Sequence, residues 1–364
     1  MPPLSRDTQP VTRAERLYEL AIGADDARYC RDISEDQCRE QPRSFLCQTG
    51  ALIFSKTGDG LADAKIVLPW LLGTVGAPVG LVGLLLPIRE SLALFPQILV
   101  GAVIRRFPLR KGFWAAASLV EGLCILAMAG VGLSGLTGET AGWAIVGLVV
   151  LFSLARGVAS IAGKDVLAKT VSKGRRGRVN GLSASIAGLL AGVAGLLLVF
   201  LPQGERPDVL LFGLIGTAGL CWLVGAAFFQ ATPEFPGATS GGRGFGDLLR
   251  EQGDLLQKDA DLRRFLVART LMIASSLAGP AVVALAQAEQ GSGLSELGFL
   301  LVSAGIAGAV SSAFWGRFAD RSSKAVMALG AGLAGLVCYA TILLGGSLPY
   351  VYPAALMVLG IAHA

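Results

Sequence analysis

This sequence reads as an all-α polytopic membrane protein made of two similar bundles of helices. Three observations carry that reading. Of 364 residues, 53% are hydrophobic and only 16% are charged, against about 25% charged in an ordinary soluble domain. The apolar residues fall in continuous runs of about 20, the length a helix needs to cross a bilayer. A β-barrel would show alternating segments of about ten residues instead. Finally, one turn chemistry occurs twice. Gly316-Arg317-Phe318-Ala319-Asp320-Arg321, with Lys324 close behind, separates the runs Leu297–Trp315 and Ala325–Leu344, and Arg105-Arg106-Phe107-Pro108-Leu109-Arg110-Lys111 separates an earlier pair of runs. The two Arg-Phe pairs lie 211 residues apart, as expected for two halves repeated in the same direction.

Taken in order, residues 1–64 are polar and carry no signal-peptide core. They read as a tail, with a short helix at Ala14–Ile22 and an apolar patch at Phe45–Phe54 that is too short to span. Cys30, Cys38 and Cys47 are too widely spaced for a usual zinc pattern and read as ordinary thiols. Residues 65–230 read as a six-helix bundle. Its spans are Ile66–Leu86, a second ending near Ile104 after a turn at Pro87–Ser91, Phe113–Leu133, Trp143–Ala162, Leu182–Leu201 and Val209–Phe229. Gly73, Gly76, Gly80 and Gly83 would leave one face of the first span bare for close packing. Residues 231–262 form a polar linker, broken by Pro233 and Pro236 and ending in an amphipathic helix over Phe245–Leu262. Residues 263–364 supply the second bundle, with Phe265–Ala286, the two runs around the Gly316 turn, and Tyr350–Ala364. That final run covers about 22 Å, short of a hydrocarbon core of about 30 Å. The chain is therefore expected to be a fragment, with about ten of six-plus-six helices present.

The net charge of +5 would suit nucleic acid, but its distribution argues for a membrane topology. Eighteen Lys and Arg lie in the connections 105–111, 164–178, 243–264 and 317–324, against only Arg89 and Arg206 on the other side. By the positive-inside rule this puts the basic turns, the N-terminus and the linker in the cytoplasm, in a cell inner membrane. The single His, His363, leaves no metal site or His-based lipid enzyme to propose. The glycines have helical spacing within apolar runs and form no phosphate-binding loop. Neither catalysis nor a cofactor is expected.

Ionisable side chains within spans are costly and mark function by default. Glu121 lies about 15 Å along its helix from Lys111, and Arg156 about 12 Å from Lys164. Antiparallel neighbours would hold the two at similar depth, as an ion pair or as a proton-sensitive carboxylate that frees Arg156 for an anionic group. Arg89 and Glu90 are expected at the outer end of the second span, as interfacial anchors or as a gate with Gln97 deeper. Arg269 reads as an interfacial anchor.

Gly316-Arg317-Phe318-Ala319-Asp320-Arg321 with Lys324 resembles the Gly-x-x-x-Asp-Arg signature of the major facilitator superfamily, and the six-plus-six plan and central linker resemble that family from about Asp63 to Ala364. The first-half copy departs from the signature, with Phe107-Pro108-Leu109 where an Asp is expected. Arg156-Gly157 resembles the family's fourth-helix Arg motif without its Gln-Gly, and the fifth-helix glycines lack the antiporter Pro. No subfamily follows. The resemblance implies a monomeric secondary active transporter that moves a small-molecule substrate by alternating access with proton coupling. It implies a cytoplasmic latch of Arg106, Arg110, Lys111, Gly316, Arg317, Asp320, Arg321 and Lys324. A non-transporting receptor on the same scaffold is the alternative, and would bind ligand without flux.

Overall fold

The computed structural model describes residues 13–22, 33–200, 207–239, 245–291, 293–319, 323–345 and 350–363. All the regular structure among them is helical. A short helix, α1 (Arg13–Ile22), precedes the 27-residue α2 (Glu35–Leu61). Ser34 starts α2 with a reciprocal cap: its hydroxyl accepts the Gln37 N–H at 3.4 Å while the Gln37 side chain accepts the Ser34 N–H at 3.0 Å. The expected tail is therefore largely a helix about 40 Å long. Its buried residues include Gln41, Ser44, Gln48, Thr49 and Ser55 as well as Phe45 and Ala51. Hydropathy hides this helix because its bundle-facing side is polar. Two of those polar side chains are bonded to the segment 170–172, Gln48 Nε2 to Thr170 Oγ1 at 2.5 Å and Gln41 Oε1 to the Ser172 N–H at 2.9 Å.

After an interruption at residues 62–66, the chain resumes as α3 (Val67–Thr74), turns at Val75–Pro78, and continues as α4 (Val79–Ile104). The expected span Ile66–Leu86 is thus corrected. Its turn comes earlier, where Gly76 takes φ 70 and Pro78 sits at the cap of α4. Pro87-Ile88-Arg89-Glu90-Ser91, read as a turn, lies inside one unbroken helix, with Pro87 forfeiting one backbone hydrogen bond.

Four helices follow where expected, α5 (Lys111–Leu133), α6 (Gly138–Thr170), α7 (Lys173–Phe200) and α8 (Pro207–Gln230), but α6 and α7 extend through most of the basic segment 164–178 that was read as a connection. The linker helix α9 (Phe245–Lys258) ends before the expected Leu262. The seventh run is broken into α10 (Ala260–Ser275) and α11 (Ala278–Gln290). Then come α12 (Leu294–Ala319), α13 (Ser323–Leu344) and α14 (Val351–His363). Cys38 is disulfide-bonded, which corrects its reading as an ordinary thiol, whereas Cys47 is a free thiol as expected and Cys30 lies outside the described residues.

In the first bundle α2 packs on α7 and α8, α5 on α6 and α8, and α4 on α6. Its core is set by Trp70, Leu71, Leu72, Leu85, Met128 and Trp222. In the second, α14 packs on α12 and α13. Large apolar side chains also face outward, with Leu189 68%, Phe200 79% and Ile342 76% exposed. Five of the described helices are long and apolar enough to cross a membrane, among them α5, α6 and α7.

The two bundles meet along α7 and α12, and where α11 touches α3 and α4. At the first crossing a Cβ on Gly298 would lie 2.7 Å from the Gly195 carbonyl oxygen and 2.9 Å from the Val199 nitrogen. The contact is backbone on backbone, and only glycine allows it. At the second, the Gln287 amide donates to the Trp70 carbonyl at 3.1 Å and to Thr74 Oγ1 at 3.3 Å. Both contacts lie at the end of the first bundle away from its basic turn at 105–111.

Candidate functional site

Each of the first four spans contributes one charged side chain to a single network. Asp59 lies in the last turn of α2, Arg89 in mid-α4, Glu121 in mid-α5 and Arg156 in mid-α6. Arg89 Nη2 donates to Asp59 Oδ1 at 2.8 Å, Arg156 Nη2 to Asp59 Oδ2, and Arg156 Nη1 to Glu121 Oε1 at 3.5 Å. Ser118 Oγ donates to the other Glu121 oxygen at 3.3 Å. The Arg89 guanidinium also sits 5.3 Å over the Phe152 ring, and Phe152 packs edge-on against Trp222.

Two carboxylates and two guanidinium groups cancel in charge, which is what makes such a cluster tolerable away from water. Access to it is uneven. Glu121 is fully buried, while 31% of the Arg156 side chain and 20% of that of Asp59 remain accessible. Solvent or solute therefore reaches the shared Arg156 before it reaches Glu121. Protonating Glu121 would leave Arg156 held by Asp59 alone, so the arrangement can couple a proton to the position of a guanidinium.

A second cluster clamps the first basic turn. The Glu234 carboxylate, from the start of the linker, accepts the backbone N–H groups of Arg110 and Lys111 at 2.7–2.9 Å and so caps the N-terminus of α5. Lys169 Nζ reaches Glu234 at 3.0 Å and Asp165 at 3.4 Å, and Arg110 pairs with Asp165. Lys111 Nζ donates to the Thr232 carbonyl at 2.9 Å and Arg110 Nη2 to the Ala238 carbonyl at 2.9 Å. The linker is thereby strapped across the turn.

The structure thus brings Glu121, Arg156 and Arg89 together but leaves Glu90 exposed on α4. Arg89 and Glu90 sit well inside α4, not at the outer helix end where they were expected. Gln97 donates to the Ala93 carbonyl of its own helix at 3.0 Å. Arg110 and Lys111 join the second cluster, and Arg106 is exposed beside it. Asp320 and Arg321 lie outside the described residues, as do the side chains of Arg317, Lys324 and Arg269; Gly316 is placed only as backbone of α12. Sequence reasoning missed Asp59 and Glu234. A helical extension of the first span back through Leu52–Leu61 would have put Asp59 inside the bundle. Nothing local marks Glu234.

The arrangement of the helices has solved counterparts. A crystal structure of the nucleoside transporter NupG superposes with TM-score 0.65 at 13% identity, covering 88% of this chain and 79% of that one. The xylose transporter XylE from E. coli, in an inward open conformation, superposes with TM-score 0.58 at 12% identity, covering 88% and 80%. None of the curated proteins matches this sequence. The family model described as Major Facilitator Superfamily matches residues 61–364, so the chain belongs to the Major Facilitator Superfamily.

Proposed function

We propose that the protein is a secondary active transporter that carries a small solute by alternating access and couples it to protons. Family membership supports the transporter reading. The Asp59–Arg89–Glu121–Arg156 network is the single observation that supports coupling. It contains a carboxylate with no solvent access, joined through one guanidinium to groups that do have access, near the middle of the helices. On this reading Glu121 is the proton-responsive group, and Arg156 transmits its state to Asp59 and the α2–α4 contact.

The halves of the chain play different parts in the proposal. Residues 65–230, extended by α2, form one rocking bundle and residues 263–364 the other. Residues 231–262 link them on the cytoplasmic side of a cell inner membrane, and the basic turns latch that side. The bundle contacts described here gather at the opposite end, which fits a state closed to the outside.

The test uses the full chain in proteoliposomes under an inward proton gradient, in a bath of filtered yeast extract, with entering solutes identified by mass spectrometry. At least one solute is expected to accumulate in a protein-dependent way. In Glu121→Gln that solute should still equilibrate but no longer concentrate. Absence of any protein-dependent entry would remove the transporter reading. Unchanged accumulation in Glu121→Gln would remove the coupling role.

A further inference from the structure

The first and seventh spans, which open the two halves, are both interrupted, at residues 62–66 and between Ser275 and Ala278. Broken helices in corresponding positions of a repeat mark the midplane site of a transporter. Here the two breaks are neighbours. A Cβ on Gly279, just past the second break, would lie 3.7 Å from the Lys65 Cβ in the first.

The first break is built by Asp63. Its Oδ1 accepts the N–H groups of Lys65 at 2.7 Å and Ile66 at 3.0 Å, and its carbonyl accepts those of Val67 and Leu68. Asp63 is thus occupied in folding the turn. Lys65 is half-buried, flanked in the chain by the buried Ala64 and Ile66, and its ammonium has no carboxylate or hydrogen-bond partner among the described residues. The next acidic group along the chain, Asp59, is already engaged by both Arg89 and Arg156. On α3 the buried Trp70 carries a second donor without an acceptor, its indole N–H.

Depth completes the case. Lys65 lies nine residues before Thr74, roughly 14 Å below the far turn, which is about half of a 30 Å hydrocarbon core. A lysine near a helix end reaches the interface by snorkelling; from the midplane, at the junction of two bundles, it cannot do so. A cation left unpaired there lacks a negative partner.

We propose that Lys65 is the midplane cation of the transport site and that the carried solute presents a negatively charged group to it. This rests on the transporter reading above and specifies its substrate class. Asp63 sets the backbone that presents the ammonium, and Gly279 leaves room beside it.

The experiment uses the same proteoliposomes with yeast extract split on a strong anion exchanger, the probes being the retained and the unretained fractions. Wild-type protein should take up solute from the retained, anionic fraction. Lys65→Gln should cut that entry on the order of ten- to a hundredfold, the size of a lost charge-assisted hydrogen bond, whereas Lys65→Arg should retain most of it. Entry confined to the unretained fraction would overturn the proposal and leave the transporter reading standing. No entry from either fraction would overturn both. Equal entry through Lys65→Gln would overturn the role of Lys65. If Lys65→Gln does not fold, the choice of fraction by the wild type and the result for Lys65→Arg still decide the matter.

Discussion

Neutralising Asp59 should cost more than neutralising Asp59 and Arg89 together. In Asp59→Asn the two guanidinium groups that shared one carboxylate are left with Glu121, which contacts only Arg156. Breaking one partner out of a fully buried ion pair costs about 3–5 kcal/mol. The accessible fractions here, 17% for Arg89, 20% for Asp59 and 31% for Arg156, let solvent absorb part of that, leaving about 2 kcal/mol. At about 2–4 °C per kcal/mol for a large chain, the melting midpoint falls by about 4–8 °C. Asp59→Asn/Arg89→Gln restores one carboxylate to one guanidinium and should regain about half of the loss, although two native side chains are now missing. The assay is thermal unfolding of the purified full chain in detergent, with both single variants alongside to close the cycle. A double variant that falls by the sum of the two singles would refute the network and leave four independent side chains.

Gly298→Leu puts a Cβ 2.7 Å from the Gly195 carbonyl oxygen, so the α7–α12 crossing must open; labelling of a cysteine introduced at Val302 by a membrane-impermeant maleimide should rise several-fold over the same cysteine in wild type. Glu234→Gln keeps one acceptor for the Arg110 and Lys111 N–H groups but loses the charge that holds Lys169. Hydrogen exchange at Thr232 to Ala238 should speed up by about tenfold, equivalent to about 1.4 kcal/mol, with no change in α5 beyond its first turn. Tyr18 on α1 accepts from Gln41 Nε2 at 2.6 Å and from Arg175 Nη1, and burial raises its pKa above the ordinary 10.0. The folded state therefore holds the phenolic proton more tightly than the unfolded state. The docking contribution is full below pH 10 and is lost as the pH climbs through the raised value, so alkaline release of α1, followed by proteolysis, should be weakened in Tyr18→Phe.

The spans α5 to α8 were legible as apolar runs, but composition marks only their apolar parts: α6 runs eight residues past the expected Ala162 and α7 starts nine before the expected Leu182, through the basic segment between them. The first two spans were not legible, for opposite reasons. α2 carries Gln41, Ser44, Gln48 and Ser55 toward its neighbours, so the polar character that suggested a tail is the character of a bundle interior. α4 contains Pro87, Arg89 and Glu90, a combination typical of a turn. Arg89 is held in place by Asp59 and Phe152, and those partners lie 30 and 63 residues away along the chain.

The candidate site shows the same limit at the level of single charges. Depth along a helix could be counted from the sequence, and it set Glu121 beside Arg156 at 3.5 Å. Counting depth works for helices joined by a short turn, because the turn fixes their relative height. It fails for Asp59, whose helix had been ended too early. It fails again for Glu234, which reaches the N-terminus of α5 from a segment 123 residues on. An acidic residue expected within the first basic turn is absent from the turn itself. The helix end still requires a negative group, and the linker supplies it. If that is the reason the turn tolerates Phe107-Pro108-Leu109, then Leu109→Asp should compensate for Glu234→Gln in thermal unfolding of the full chain. A local carboxylate that leaves the Glu234→Gln loss intact would show that the strap serves the linker and not the helix.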